Sequence, residues 1–431
     1  MDLALNLLSA WGRALLGLLV NPFYYLGLVV ILLQYRRQIR LERKLFHSRF
    51  HYMGRVAWRL VVWGLAAGLG ASLVLAALGS AFTMEAMVLL WSLSAVLILF
   101  RLRFLCLAYA AGILALVDAV LGWVPQGADT VALGWLYRWM EGVETPALLV
   151  LAGMLHLAEA LLVRHQGSLT RTPLFSESKR GRVMGGFQLY AFWPVALFLL
   201  VPAQSGGFQL PWTPVFGSGL ASSGWTILAL PVAMGFMEST WTQLPEDKAR
   251  RTSGRLLLYG VAVTGLALLS HWVGAFLPVA AVLTIALHEG ILWWGRWEET
   301  KEPLRFVHDS RGLKILAVLP DSPAEALGMR TGEILAKVNG LPVRTREGLH
   351  AALQENPAYC KLEILNLEGE SRFAGRAMFA GEHHQLGILL CPDEDTRYVV
   401  EERQQHGLVS VLARSLGGLF DKKSSSNDRA M

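Results

Sequence analysis

The stretch 312–340 reads GLKILAVLPDSPAEALGMRTGEILAKVNG and decides the fold of the C-terminal part of the chain. A β-prone apolar run over Leu313–Leu319 predicts a strand. Ser322 can cap a following helix, and Pro323 suits the first helical position. A second apolar run over Glu333–Val338 predicts another strand, and the Asn-Gly dipeptide after it favours a tight turn. The stretch therefore predicts a strand, a short helix and a second strand in close succession.

The residues that follow continue this pattern of short elements. Thr345–Gln354 has the apolar spacing of an amphipathic helix, and Lys361–Leu367 with Ser371–Phe379 predicts a β-hairpin. Gln385–Leu390 predicts a last strand. Together these elements predict one α+β domain over 303–395, and about 90 residues are enough to bury a core.

The composition upstream of this domain is different. The chain of 431 residues is 54% hydrophobic and 17% charged, whereas soluble globular domains carry about 25% charged residues. Less than half of the charged residues lie in 1–295, although this part is two thirds of the length. This imbalance argues against a single soluble enzyme and against a disordered chain, and it predicts a transmembrane domain over 1–295.

Apolar stretches in 1–295 approach the length of about 20 residues that a membrane-spanning helix needs. They are Ala14–Tyr35, Leu60–Met84, Ala86–Phe100, Phe104–Val124, Pro146–Val163, Gly185–Ala203, Ser218–Met237, Leu256–Ser270 and Trp272–Trp294. The stretches Ala86–Phe100 and Leu256–Ser270 are the weakest. The predicted fold is therefore an α-helical polytopic membrane bundle of seven to nine spans, followed by the α+β domain and a short helical tail.

The positive charges predict how this bundle is oriented. With nine spans, 19 of the 21 Lys and Arg residues of 1–295 fall in loops on one side. Positive loops stay in the cytoplasm, so we expect the N-terminus outside and the α+β domain and the C-terminus in the cytoplasm. The net charge of +6 is then explained by loop charge, and we expect no nucleic-acid partner.

The stretch 312–340 resembles a bacterial PDZ domain. The Ser-Pro-Ala element at Ser322, the Gly-Met pair at Gly328 and the Val-Asn-Gly element at Val338 occur in the order of that family. Leu327 stands where the family usually has Ala, and Glu333 where it usually has Asp. Neither departure affects the predicted fold.

The resemblance implies a peptide-binding groove, because PDZ domains bind an extended peptide as an added strand. The carboxylate-binding loop is a hydrophobic-Gly-hydrophobic element, which here is Gln385-Leu386-Gly387-Ile388. Leu349 and Leu353 of the predicted helix would line the side-chain pocket. The alternative is a PDZ domain with an occluded groove that serves as a rigid spacer.

Catalytic motifs are weak or missing in the sequence. An intramembrane metalloprotease needs His-Glu-x-x-His, but His288-Glu289 is followed by Leu292. The three scattered cysteines predict neither a disulfide framework nor a metal cluster. We therefore expect a protein that is not an enzyme and has no metal or cofactor. Asp118, His156 and Glu159 lie within predicted spans and leave a transporter with a regulatory PDZ domain as an alternative.

A second resemblance covers nearly the whole chain. The segments NPFYY at 21–25 and YRRQIRLERKLFHSR at 35–49, followed by several spans and a C-terminal PDZ domain, are similar to the MinJ family of cell-division topology proteins. The resemblance implies a scaffold at the septum and poles. It would bridge a DivIVA-like polar coiled-coil protein to a MinD-like ATPase and contact other division proteins. A related sorting role remains open.

Two further segments have surface character. The spacing of Arg36, Arg37, Arg40, Arg43 and Lys44 suits a helix lying on anionic lipid, as well as loop charge that orients the spans. The tail 396–431 contains apolar residues at helical spacing. They predict an amphipathic helix that packs on the protein or membrane, or binds a partner.

Overall fold

The computed structural model of the protein describes residues 2–46, 52–124, 131–178, 181, 183–216, 224–356, 358–377 and 386–392. Its helices are α1 (Asp2–Val20), α2 (Pro22–Phe46), α3 (Met53–Ala77), α4 (Met84–Phe100), α5 (Leu107–Leu121), α6 (Val131–Met140), α7 (Thr145–Gln166), α8 (Pro245–Trp272), α9 (Leu277–Lys301), α10 (Pro323–Ala326) and α11 (Arg346–Glu355). Its strands are β1 (Thr172–Glu177), β2 (Val183–Pro202), β3 (Trp225–Thr240), β4 (Leu313–Val318), β5 (Ile334–Val338), β6 (Leu341–Pro342), β7 (Tyr359–Leu365), β8 (Ser371–Ala377) and β9 (Ile388–Leu390).

Two predicted membrane spans are strands instead. The segments Gly185–Ala203 and Ser218–Met237 correspond to β2 and β3, which pair antiparallel from Phe187↔Thr240 to Pro202↔Trp225. A continuous apolar run hides the period that separates a buried strand from a helix. The internal prolines of both segments were the available signal against a helix, because a proline in a helix interior removes a hydrogen bond.

The long hairpin is covered by helices. β2 is the middle strand of the sheet β1-β2-β3, and most of its residues are buried. Gly64 and Gly68 of α3 lie directly against the carbonyl oxygens of Pro194 and Ala196. Small residues allow this close approach between a helix and a strand backbone.

The structure contains four to five candidate membrane spans within the described residues, rather than seven to nine. Four helices are long and apolar enough to cross a membrane: α3, α7, α8 and α9 with the short turn before it. The pair α1 and α2 is bent by 54° and gives a fifth if it counts as one span. The break falls at Asn21, whose side chain accepts a hydrogen bond from the Phe23 amide at 2.9 Å. α4 and α5 are apolar but shorter.

The predicted α+β domain is present, with its elements close to the expected positions. Its sheet has the order β8-β7-β5-β4-β9, and β6 pairs with β5. The hydroxyl of Ser322 caps α10 by accepting from the Glu325 amide, and the hydroxyl of Thr345 caps α11 by accepting from the Gly348 amide. Local signals were sufficient here because caps and turns depend on neighbouring residues.

The α+β domain packs directly on the base of the long hairpin. The Gly185 amide donates to the Phe306 carbonyl at 2.8 Å, and the Arg305 amide donates to the Trp241 carbonyl at 3.0 Å. The rings of Phe187 and Phe306 meet edge to face, with centroids 5.2 Å apart. Leu316 belongs to the same buried core as these rings. The two domains therefore share a continuous apolar core.

Candidate functional site

The predicted groove elements pack on the same apolar core of the domain. β9 is the last strand in the sheet order, and it pairs with β4 through Val318↔Ile388. Ile388 and Leu349 are half-buried and pack on the same apolar core as Leu353, which is 5% exposed. The structure thus brings the strand and the helix of the predicted groove onto one core. Gln385 lies outside the described residues.

Leu386 and Gly387 form a tightly held turn before β9. The Leu386 carbonyl accepts from the Ala324 amide at 2.9 Å, and the Gly387 carbonyl accepts from the Leu319 amide at 2.8 Å. Gly387 has φ of +77°, and a Cβ at this position would overlap the Ser322 side chain. The Leu386 side chain is 2% exposed and belongs to the domain core. This turn is therefore part of the fold as well as a candidate ligand contact.

An edge strand beside a helix can accept an extended peptide through its backbone, and flanking apolar side chains select the residues of the peptide. Ile388 on β9 and Leu349 on α11 are both partly exposed and pack on the domain core. The domain contains the strand and the helix of the predicted groove, and the binding of a peptide to Leu386, Gly387, Ile388, Leu349 and Leu353 stays a prediction.

The basic segment forms the continuous end of α2. The side chains of Arg36, Arg37, Arg40 and Arg43 are exposed. The opposite helix face is buried through Tyr35, Ile39 and Glu42.

Hydrogen bonds fix this helix end to the sheet. Gln38 Nε2 donates to Thr172 Oγ1 at 2.6 Å, and the Thr172 hydroxyl donates to Glu42 Oε1 at 2.8 Å. The arginines therefore project from one face of a helix whose other face is anchored on β1. Lys44 lies on the same helix, and its side chain lies outside the described part.

The polar residues predicted within spans separate into two places. The Thr145 hydroxyl donates to Asp118 Oδ2 at 2.5 Å, which satisfies this carboxyl locally. His156 Nε2 lies 4.0 Å from Glu159 Oε2. His156 also meets Cys106 and His288, which sequence reasoning did not connect because they are far apart along the chain.

Comparisons with known proteins agree with this architecture. Residues 314–365 match the PDZ domain family. The chain is 32% identical over 401 residues to the cell division topological determinant MinJ of Bacillus subtilis strain 168, covering 89% of this chain and 96% of the relative. It is 30% identical over 259 residues to the probable cell division topological determinant MinJ of Lacticaseibacillus paracasei, covering 57% of this chain and 66% of the relative. No solved structure matches the chain significantly.

The matched families describe a binding protein and not an enzyme. The relatives are named as cell division determinants, and a PDZ domain is a peptide-binding module. The similarity to the Bacillus protein extends over apolar helices and PDZ domain alike, so this chain belongs to the MinJ family of cell division topological determinants.

Proposed function

We propose that the protein is a membrane scaffold for placement of the division site. It connects a DivIVA-like polar coiled-coil protein to a MinD-like ATPase at the septum and poles, and its PDZ groove captures one of these partners. The observation that carries this proposal is that Ile388 on β9 and Leu349 on α11 are both partly exposed and pack on the same apolar core of the domain.

The orientation of the chain supports access of cytoplasmic partners to the PDZ domain. The basic end of α2 lies on the cytoplasmic side under the positive-inside rule. Tyr52, just before α3, lies with its hydroxyl 3.5 Å from Asp321 Oδ2 of the PDZ domain. The proposal therefore places the PDZ domain and the basic helix end on the same, cytoplasmic side of the membrane.

The shared core between the domains also supports a scaffold. Because Phe306 and Leu316 are buried with Phe187 of the hairpin, the PDZ domain is held at a defined position on the membrane domain. A bound partner would then be confined close to the membrane, which raises its effective concentration for a second contact. The basic face of α2 is proposed to contact anionic lipid, at about 1 kcal/mol per charge.

The test uses the full-length protein in lipid nanodiscs with the polar coiled-coil protein and the ATPase as separate ligands. Leu349→Arg places a charge in the proposed side-chain pocket and should weaken capture of one partner by at least about tenfold, or about 1.4 kcal/mol. Leu341→Arg is the matched control, because Leu341 is 43% exposed on β6 outside the groove.

In cells, the Leu349→Arg variant should no longer localise to the septum and poles, or should fail to recruit the ATPase. The Leu341→Arg variant should localise and recruit the ATPase as the parent protein does. Equal capture and equal localisation by the two variants would reject the groove as the binding site. Failure of both partners to bind the unmodified protein would reject the bridging role.

A further inference from the structure

Three metal-ligating side chains converge inside the helical domain. Cys106 Sγ lies 3.3 Å from His156 Nε2 and 3.5 Å from His288 Nε2. All three ligand atoms lie within 4.8 Å of one another. His156 and His288 are 3% and 8% exposed. Cys106 directly precedes α5, His156 lies on α7 and His288 lies on α9, so three separate elements contribute one ligand atom each.

The hydrogen bonds of the two histidines determine where their protons are. His156 Nδ1 lies 2.7 Å from the Ala152 carbonyl, which can only accept, so Nδ1 carries the proton. The Tyr109 hydroxyl donates to Glu289 Oε1 at 2.7 Å, so its oxygen accepts from His288 Nδ1 at 3.0 Å. In the neutral ring only one nitrogen is protonated. Both Nε2 atoms therefore direct a lone pair toward the same sulfur.

The thiol has a single proton and cannot satisfy both nitrogen lone pairs. One buried imidazole nitrogen would then face the sulfur without a donor, which is costly in an apolar site. A cation between the three atoms removes this conflict, because it accepts electron pairs from the sulfur and from both nitrogens. Metal-bound histidines usually donate a hydrogen bond from their second ring nitrogen to a carbonyl or a carboxylate. Here the His156 Nδ1 donates to a carbonyl, and the His288 Nδ1 donates to the Tyr109 hydroxyl, which is bonded to the Glu289 carboxylate.

The geometry points to a zinc site formed by Cys106, His156 and His288. Zinc bonds of about 2.3 Å to sulfur and 2.0–2.1 Å to nitrogen place tetrahedral S and N ligands about 3.6 Å apart. The two S···N distances in the structure are 3.3 and 3.5 Å. Mixed imidazole and thiolate ligands favour zinc over magnesium or calcium, which prefer oxygen.

The Glu159 carboxylate lies beside His156 and can balance the charge of the site. Its Oε2 lies 4.0 Å from His156 Nε2, and its side chain is 17% exposed. Zn²⁺ with one thiolate and one carboxylate is electrically neutral, whereas the ion with the thiolate alone would leave a net positive charge in an apolar domain. The site would link α5 and α7 to α9, the helix that leads into the PDZ domain. This role is structural and independent of which partner the groove binds.

The first experiment measures zinc in full-length protein purified in detergent without a polyhistidine tag. We expect about one zinc per chain. Cys106→Ser and His156→Gln should reduce this content at least tenfold. Cys360→Ser is the matched control, because Cys360 is also a buried free cysteine but lies in the PDZ domain. The Cys360→Ser variant should contain as much zinc as the parent protein.

The second experiment uses cobalt as a spectroscopic probe and does not depend on variants that fold. Chelator-treated parent protein titrated with Co²⁺ should develop tetrahedral ligand-field bands and a thiolate-to-cobalt charge-transfer band at one equivalent. Tyr109→Phe, which removes the acceptor for His288 Nδ1, should keep these bands and weaken metal affinity by about 10-fold or more.

Parent protein that contains no zinc and gives no thiolate–cobalt band would overturn the site. Full zinc content in folded Cys106→Ser would overturn the ligand assignment, and one equivalent of copper in place of zinc would overturn the choice of metal.

Discussion

Lys248 Nζ of α8 lies 3.1 Å from Glu299 Oε1 of α9, and the lysine side chain is only 2% exposed. The same ammonium lies 3.7 Å from Glu238 Oε2 of β3. The second Glu299 oxygen accepts from the Trp241 amide at 3.1 Å and from the Thr242 hydroxyl at 3.0 Å. One buried cation therefore holds two helices and the long hairpin together, next to the contact with the PDZ domain.

Removing this cation should be strongly destabilising. Lys248→Met leaves the carboxylates of Glu238 and Glu299 without their shared partner, and breaking a buried ion pair costs about 3–5 kcal/mol. Thermal unfolding in detergent measures the loss. Arg251→Met is the control, because Arg251 is 45% exposed in its ion pairs and exposed pairs contribute about 0–1 kcal/mol. Equal melting temperatures for the two variants would contradict the buried role of Lys248.

The contact between α3 and β2 depends on Gly68. A Cβ at this position would overlap the backbone carbonyl of Ala196, so Gly68→Ala should cost about 1–3 kcal/mol through overpacking. Gly70→Ala is the matched control on the same helix, because nothing lies within 4 Å of its Cβ position. The control should be neutral or slightly stabilising. A melting temperature lowered only by Gly70→Ala would contradict the packing of α3 on the strand.

The turn before β9 should tolerate substitution less than other turns with positive φ. Gly387→Ala and Gly328→Ala both place a Cβ at positive φ, +77° and +67°, which costs about 1–2 kcal/mol. Only Gly387→Ala adds an overlap with Ser322, the cap of α10, so it should be the less stable variant. Differential scanning calorimetry of the two full-length variants measures the difference in their stability. Larger side chains at Gly387 would disturb the fold as well as the groove, which makes Leu349 the cleaner site for binding tests.

Anionic lipid should stabilise the protein through the exposed arginines of α2. The protein should melt at a higher temperature in phosphatidylglycerol than in phosphatidylcholine, because each arginine near an anionic surface contributes about 1 kcal/mol of binding free energy. Replacing Arg36, Arg40 and Arg43 by Gln should reduce this difference in melting temperature. Arg346→Gln in the PDZ domain is the control, because it removes an exposed charge outside this helix. An unchanged lipid response in the triple variant would limit these arginines to orienting the spans.

An ion pair near the start of the PDZ domain predicts a dependence of stability on acid pH. Arg311 donates to Asp309 from its amide and from its guanidinium at 2.9–3.0 Å, and this lowers the pKa of Asp309 to about 2. A lowered pKa in the folded state adds stability above the unfolded value of about 3.9, and this is lost as the pH falls through about 2. Asp309→Asn should therefore melt below the parent at pH 7 and approach it in acid. A constant difference across this range would exclude the ion pair as its cause.

Elements with local signals could be predicted from the sequence. The cap at Ser322, the helix that follows Thr345 and the neighbouring strands occur near their expected positions, because capping depends on residues three positions apart. The same holds for long apolar helices such as α7 and α9, whose length matches the membrane. The PDZ and MinJ resemblances rested on such short ordered patterns, and the comparisons confirm both.

The remaining features depend on contacts between distant segments. The strands β2 and β3 were predicted as helices, because their continuous apolar runs lack the alternation that marks a strand. Cys106, His156 and His288 meet only where α5, α7 and α9 pack together, and their separations along the chain follow no ligand motif. The buried face of α2 likewise depends on Thr172 of β1, which lies 134 residues from Gln38. Sequence alone determined the local elements and the family of this protein, whereas packing across long chain separations decided the hairpin, the domain contact and the convergent ligands.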